Sequence, residues 1–206
     1  MVGTTFRTGV RRGLDRTVYE SWQSATRAAG HPAGSLLAWQ RTADGQYCLA
    51  SIAALSISSG VDDQRRWQQL RWHRIEHGSF DADTSTLHWT YYADTDTQPP
   101  DPAEDAVGGE LMLDGPGRVP MIFKDRVAAS ITVRQFVPLG DAEAPKRRED
   151  RRPGVIVSGR RDPSSASNRI EWRVSLARRT TWQTPGIADL AAVALTRIRA
   201  DFDPEG

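Results

Sequence analysis

The chain reads as an α+β protein: a mostly antiparallel, strongly bent sheet or partial barrel, with a short middle helix and a C-terminal capping helix. Three observations predict it. From residue 35 onwards, short runs rich in Trp, Tyr, Val and Ile alternate with turns carrying Asp, Gly and Ser. Residues 118–130 place Val119, Ile122, Phe123 and Val127 at helical spacing. The last segment offers a helical apolar stripe of Leu190, Val193, Ala194, Ile198 and Phe202.

In chain order, residues 1–34 form a basic, partly helical N-terminal arm. Leu14, Val18, Trp22 and Ala25 recur on one face, and Gly30, His31, Pro32 and Gly34 stop the helix. Residues 35–206 follow as a single domain. SLLAWQ and QYCLAS flank Ala43-Asp44-Gly45, a hairpin signal, and IAALSIS extends the meander. WQQLRWHRIEHGSF and TLHWTYY flank a turn over Asp81–Ser85. Leu70 and Trp72 alternate while Ile75 falls out of phase, so a bulge near His73 or Arg74 is expected. Pro99, Pro100 and Pro102 among acidic residues make 93–108 a loop, and GELMLDG is a short strand. ITVRQFVPL is an alternating strand, and mixed charge marks a second loop at about 140–153. GVIVSGRR and RIEWRVSLA pair, and Thr184-Pro185 is the expected start of the last helix.

Composition sets broad limits. At 206 residues, roughly 70% of the unfolded surface can be buried, so a core needs no staples. Mean hydropathy is −0.53, yet seven Trp, five Phe and four Tyr supply large apolar area. Cys48 stands alone, so neither an intrachain disulfide nor a thiolate metal site is expected. No apolar run reaches the length of a membrane span or a signal peptide, and a cytoplasmic location is expected. The net charge of +1 gives little affinity for a polyanion unless positive charge gathers on one face. Lys124 and Lys146 are the lysines; every other cation is Arg, which holds carboxylate and phosphate bidentately.

Motifs for chemistry are sparse. His73, His77 and His88 lie in or beside the 67–92 hairpin. With His77 opposite Trp89 and His88 opposite Gly78, they point to opposite faces and make no metal site. Asp81 and Asp83 are turn formers, because a calcium loop needs a central Gly and a closing Glu. Gly108-Gly109 and Gly115-Pro116-Gly117 lack the order of a phosphate loop, and Ser130 and Ser158 lack a nucleophile context. No cofactor and no metal are expected, and nothing favours an enzyme.

The basic residues carry the remaining signal. Arg160 and Arg161 end one strand, Arg169 and Arg173 sit on or beside its partner, and Arg178 and Arg179 follow. With Trp172 or Trp182 beside them they suggest an anion platform, to which Arg134 and Arg126 are weaker additions. Arg7, Arg11, Arg12 and Arg16 of the arm form a second basic group.

The segments SLLAWQRTADGQYCLASIAALSIS, LRWHRIEHGSFDADTSTLHW and FKDRVAASITVRQFVPL, with the final helix, resemble a family of uncharacterised actinobacterial proteins over about residues 35–202. That likeness implies no activity. A looser similarity is to the pleckstrin-homology-like fold, a bent sheet capped by a helix, which implies binding of phospholipid heads or proteins. The helical segment at 118–130 and the long acidic loop depart from that pattern. The expectation is a non-catalytic cytoplasmic binding module for a protein or an anionic ligand. A nucleic-acid or ribosome-associated protein and an enzyme of unrecognised type are the alternatives.

Overall fold

The computed structural model describes residues 13–30, 34–92, 106–140, 152–167, 169–177 and 180–202. The two expected loops fall largely outside the described residues, as do Arg7, Arg11, Arg12, Arg178 and Arg179. The elements are α1 (Arg16–Ala28), β1 (Leu36–Arg41), β2 (Tyr47–Ser51), β3 (Ala54–Ser59), β4 (Arg66–Arg71), β5 (Ile75–Asp81), β6 (Thr86–Tyr92), β7 (Ala106–Met112), α2 (Val119–Ser130), β8 (Ile131–Pro138), β9 (Gly154–Arg160), β10 (Glu171–Leu176) and α3 (Ile187–Phe202). The protein is therefore α+β, and its strands form three antiparallel sheets ordered β1-β2-β3-β4, β5-β6-β7 and β10-β9-β8. A single domain over 35–206 is expected; the chain groups instead into two compact units. The first holds α1, β1 to β6, β7 from Val107, α2 as far as Ala128 and Pro163–Ser165, and the second holds β8 to β10 and α3.

In the first unit, α1 starts where Asp15 caps it. The Thr17 amide and hydroxyl both donate to Asp15 Oδ1, at 2.7 and 2.8 Å. These bonds hold the Asp15 carboxyl below its ordinary value. The helix buries Val18, Tyr19 and Trp22 with Leu36, Tyr47 and Leu49 of the first sheet. Trp22 is wholly buried, and its Nε1 donates to Ser56 Oγ at 3.0 Å. The opposite face of that sheet supplies Ala38, Cys48, Ala50, Leu55 and Leu70 to the main core. Ile75, Leu87 and Trp89 of the second sheet join them, with Val119 and Phe123 of α2. Each fully buried Leu or Ile there contributes about 1.5–3 kcal/mol relative to exposure.

The sequence treats 67–80 as one strand with a bulge. Instead a single 3-10 turn at Trp72–Arg74 ends β4 and starts β5, which belongs to the next sheet. The turn brings both Leu70 and Ile75 to the core, and a smaller irregularity remains between Ile75 and His77. At the far side of the two sheets, Thr42 and Leu113 form an isolated antiparallel bridge. Gln40 Nε2 donates to the Gly115 carbonyl beside it, at 2.5 Å. Two glycines explain the fit of the second sheet. A β-carbon on Gly109 would sit 2.5 Å from the Trp89 ring, and one on Gly78 would strike Phe123.

In the second unit, β9 is the central strand. Val155 and Val157 are fully buried, and with Val133, Trp172 and Ile170 they pack against α3. The last helix begins later than Thr184-Pro185 suggests. Thr184 instead closes a turn, accepting from the Thr181 amide through its side chain and from the Ile187 amide through its carbonyl. Gly186, at φ +79°, precedes the first helical residue. The apolar stripe also differs from the expected one: Ile187, Ala191, Ala194 and Ile198 are buried, while Val193 and Phe202 are 67% and 54% exposed.

Candidate anion-binding face

Register decides which side chains share a face of the three-stranded sheet. Trp172, Gly159 and Val133 stand opposite one another, as do Val174, Val157 and Gln135. Trp172, Val157 and Val133 belong to the cluster packed on α3. Residues between these rows therefore point to the other face. There Arg173, Ser158 and Arg134 form one row across all three strands, and Glu171, Arg160 and Ile131 form the next. The outer strands lie two strand spacings apart, so the backbones of Arg134 and Arg173 are separated by about 10 Å.

The row has a hydroxyl at its centre. Ser158 is 1% exposed, and its Oγ makes no hydrogen bond among the described residues. A buried hydroxyl without a partner costs about 1–3 kcal/mol and calls for a reason. Arg134 is exposed and Arg173 is half-buried.

The other basic residues divide differently. Arg160 is on the same face but buried, 3% exposed, and its Nη1 donates to Ser130 Oγ at 3.1 Å. The Arg161 amide donates to the Ser130 carbonyl at 2.8 Å. These two residues thus tie the end of β9 to the start of β8. Arg169 is exposed ahead of β10, and its amide donates to Ser167 Oγ at 3.2 Å. Arg126 is half-buried on α2. Arg16 pairs with Glu20 at 2.7 Å on the solvent side of α1. Trp172 alternates with Arg173 and is buried on the α3 face, and Trp182 packs against the same cluster. Neither indole shares the face of the arginine row.

The histidines are also rearranged. The hairpin closes at Asp81 opposite Thr86, which sets His77 opposite Thr90 and Ser79 opposite His88. His77 and His88 therefore share the outer face of β5 and β6, contrary to the sequence reading. The cause is a four-residue turn in which Ser85 adopts φ +53°. His88 Nδ1 lies 3.7 Å from Glu110 Oε2. Even so, no group of three His, Cys, Asp or Glu among the described residues is placed to hold a metal ion. Asp81 acts as the turn former expected of it, accepting from the amides of Asp83 and Thr84.

A separate polar cleft of about 320 Å³ lies between α1 and the β3–β4 turn. Thr17, Ser21, Asp62, Asp63 and Arg65 line it. Its one cation is already engaged, with the Arg65 guanidinium 5.3 Å from the centre of the Tyr47 ring. Cys48 is fully buried, and burial pushes its thiol well above the ordinary range, which removes it as a nucleophile.

No family model, no curated protein and no solved structure matches this chain. Among the described residues, no helix is long and apolar enough to cross a membrane.

Proposed function

We propose that this protein is a non-catalytic cytoplasmic binding module that recognises an anionic group through the Arg134–Ser158–Arg173 row. The row itself carries this reading. Arg134 and Arg173 stand on either side of Ser158 in one register line, on the sheet face opposite the one packed on α3, and the Ser158 hydroxyl makes no hydrogen bond among the described residues. Arginine suits such a role because its planar fork donates two parallel bonds to one anion. The free, buried thiol of Cys48 is compatible with a reducing compartment.

The order of elements in the first unit favours the pleckstrin-homology-like likeness as well. Four strands in one sheet and three in the next are followed by a helix that packs on their common core. In this proposal α2, not α3, is the capping helix. The segment 118–130 then belongs to the pattern instead of departing from it.

Binding to single-stranded nucleic acid would call for rings beside the cations on which bases stack. The two Trp residues nearest the row in sequence lie in the α3 cluster, so a protein or small-molecule anion is favoured.

The test compares the wild-type protein with the Arg134→Glu/Arg173→Glu variant as baits in native lysate. Each is run with and without nuclease, and the captured species are identified by mass spectrometry. A nuclease-resistant partner held by the wild type, released by salt and lost by the variant supports the proposal. Partners that disappear with nuclease move the assignment to nucleic acid. Equal capture by both baits contradicts a role for the row.

A further inference from the structure

We infer that the cleft between α1 and the β3–β4 turn binds a small zwitterion of the α-amino-acid class, at a site separate from the arginine row. The cleft encloses about 320 Å³ within the first unit, and Thr17, Ser21, Asp62, Asp63 and Arg65 line it. That volume is at the small end of ligand pockets, which span about 300–1,000 Å³. No apolar side chain lines it, so an aliphatic or aromatic ligand would gain nothing by entering. The walls select a small, polar ligand.

Charge decides its class. Two aspartates and one arginine line the same cleft, yet they do not neutralise one another. The side chains of Asp62, Asp63 and Arg65 make no ion pair and no hydrogen bond among the described residues. The Tyr47 ring, 5.3 Å from the Arg65 guanidinium, attracts it without supplying an acceptor oxygen. An ammonium group gives the aspartates their missing counter-charge, and a carboxylate gives Arg65 its own. A bare amine would meet the repulsion of Arg65, and a bare carboxylate that of the aspartates. A ligand carrying both groups meets neither.

The hydroxyls add a further selection. Thr17 commits its proton to Asp15 Oδ1, so its oxygen offers only lone pairs. Ser21 Oγ accepts from Trp67 Nε1 at 3.1 Å and keeps its proton to donate. A polar ligand therefore finds one acceptor and one donor on α1. The turn that carries the acids is already closed. The Gln64 amide donates to the Val61 carbonyl at 3.0 Å, and the Arg65 amide donates to the Asp62 carbonyl at 3.1 Å. Binding there orders little backbone.

The experiment is a calorimetric titration of the full chain with three matched probes. L-serine carries both charges, ethanolamine lacks its carboxylate, and 3-hydroxypropanoate lacks its amine. The proteins are wild type, Asp62→Asn/Asp63→Asn and Arg65→Gln. Asparagine tolerates the φ of +45° at position 62, so the turn is retained, and an unchanged melting temperature checks this. L-serine should bind the wild type at least about tenfold more tightly than either fragment. Each variant should weaken it by about tenfold or more, the size of one hydrogen bond to a charged group.

Ethanolamine or 3-hydroxypropanoate binding as tightly as L-serine would overturn the zwitterion assignment. L-serine binding that neither variant changes would place the site elsewhere and overturn the inference. Absence of binding by all three probes would overturn it as well. None of these results touches the arginine row, whose residues lie in the second unit.

Discussion

Trp22 joins helix to sheet through both its ring and its nitrogen. The ring is wholly buried in the cluster of α1 and the first sheet, and Nε1 donates to Ser56 Oγ. Trp22→Ala removes that apolar area, opens a cavity and leaves a buried Ser56 hydroxyl without its donor. The expected loss is about 3–5 kcal/mol, measured as a lower urea midpoint with unchanged m-value. A loss under 1 kcal/mol would mean that α1 is not part of the folded core. This role was legible in the sequence, since Val18 and Trp22 share a helical face. The role of Ser158 was not. Its sequence neighbours fit no nucleophile motif, and its place between two arginines exists only once β8 pairs with β9. Residues 139–153 separate those strands in the chain, and no turn signal there announces the pairing.

Turns and caps set the acid response of the elements. Asp15 caps α1 through bonds from Thr17, Asp44 accepts from the Thr42 hydroxyl, and Asp81 accepts from the amides of Asp83 and Thr84. These bonds lower each carboxyl from its ordinary value of 3.8. The unfolded chain therefore binds more protons as pH passes below that value. The stabilisation is complete above it and is lost as pH falls through the lowered folded values. All three groups face solvent, so the effect is modest and shrinks with salt. Melting temperature followed from pH 6 to pH 2 should fall below about pH 4. Asp81→Asn, which keeps an acceptor oxygen without titrating, should flatten part of that slope. An unchanged slope in the variant would show that the turn does not contribute.

Elements with local signals are legible in the sequence. The Ala43–Gly45 hairpin, α2 and the β9–β10 pair all appear as expected. Expectation and structure part where one residue of phase or register decides the outcome. The 3-10 turn at Trp72–Arg74 replaces a bulge, because it lets the chain change sheets while Leu70 and Ile75 stay in one core. The hairpin register moves His77 and His88 onto one face, since a four-residue turn and a three-residue turn are hard to separate by composition. In α3 the stripe that faces the sheet is Ile187, Ala191, Ala194 and Ile198, so Val193 and Phe202 fall outside it.

At the scale of the whole molecule, 27 basic and 26 acidic residues nearly cancel, so function depends on where charge is placed. The arginines of 154–177 do not form one stripe. Arg160 and Arg161 hold β9 to the start of β8, while Arg173 joins Arg134 across the sheet. Alternation sends Trp172 to the α3 face, which separates the aromatic from the cationic part of the expected platform.

The most direct measurement is a backbone-amide NMR titration of the full chain with glycerol 2-phosphate, after assignment of β8, β9 and β10. The account predicts saturable shifts centred on Arg134, Ser158 and Arg173, abolished in the Arg134→Glu/Arg173→Glu variant. Shifts confined to other strands, or persisting unchanged in that variant, would contradict it.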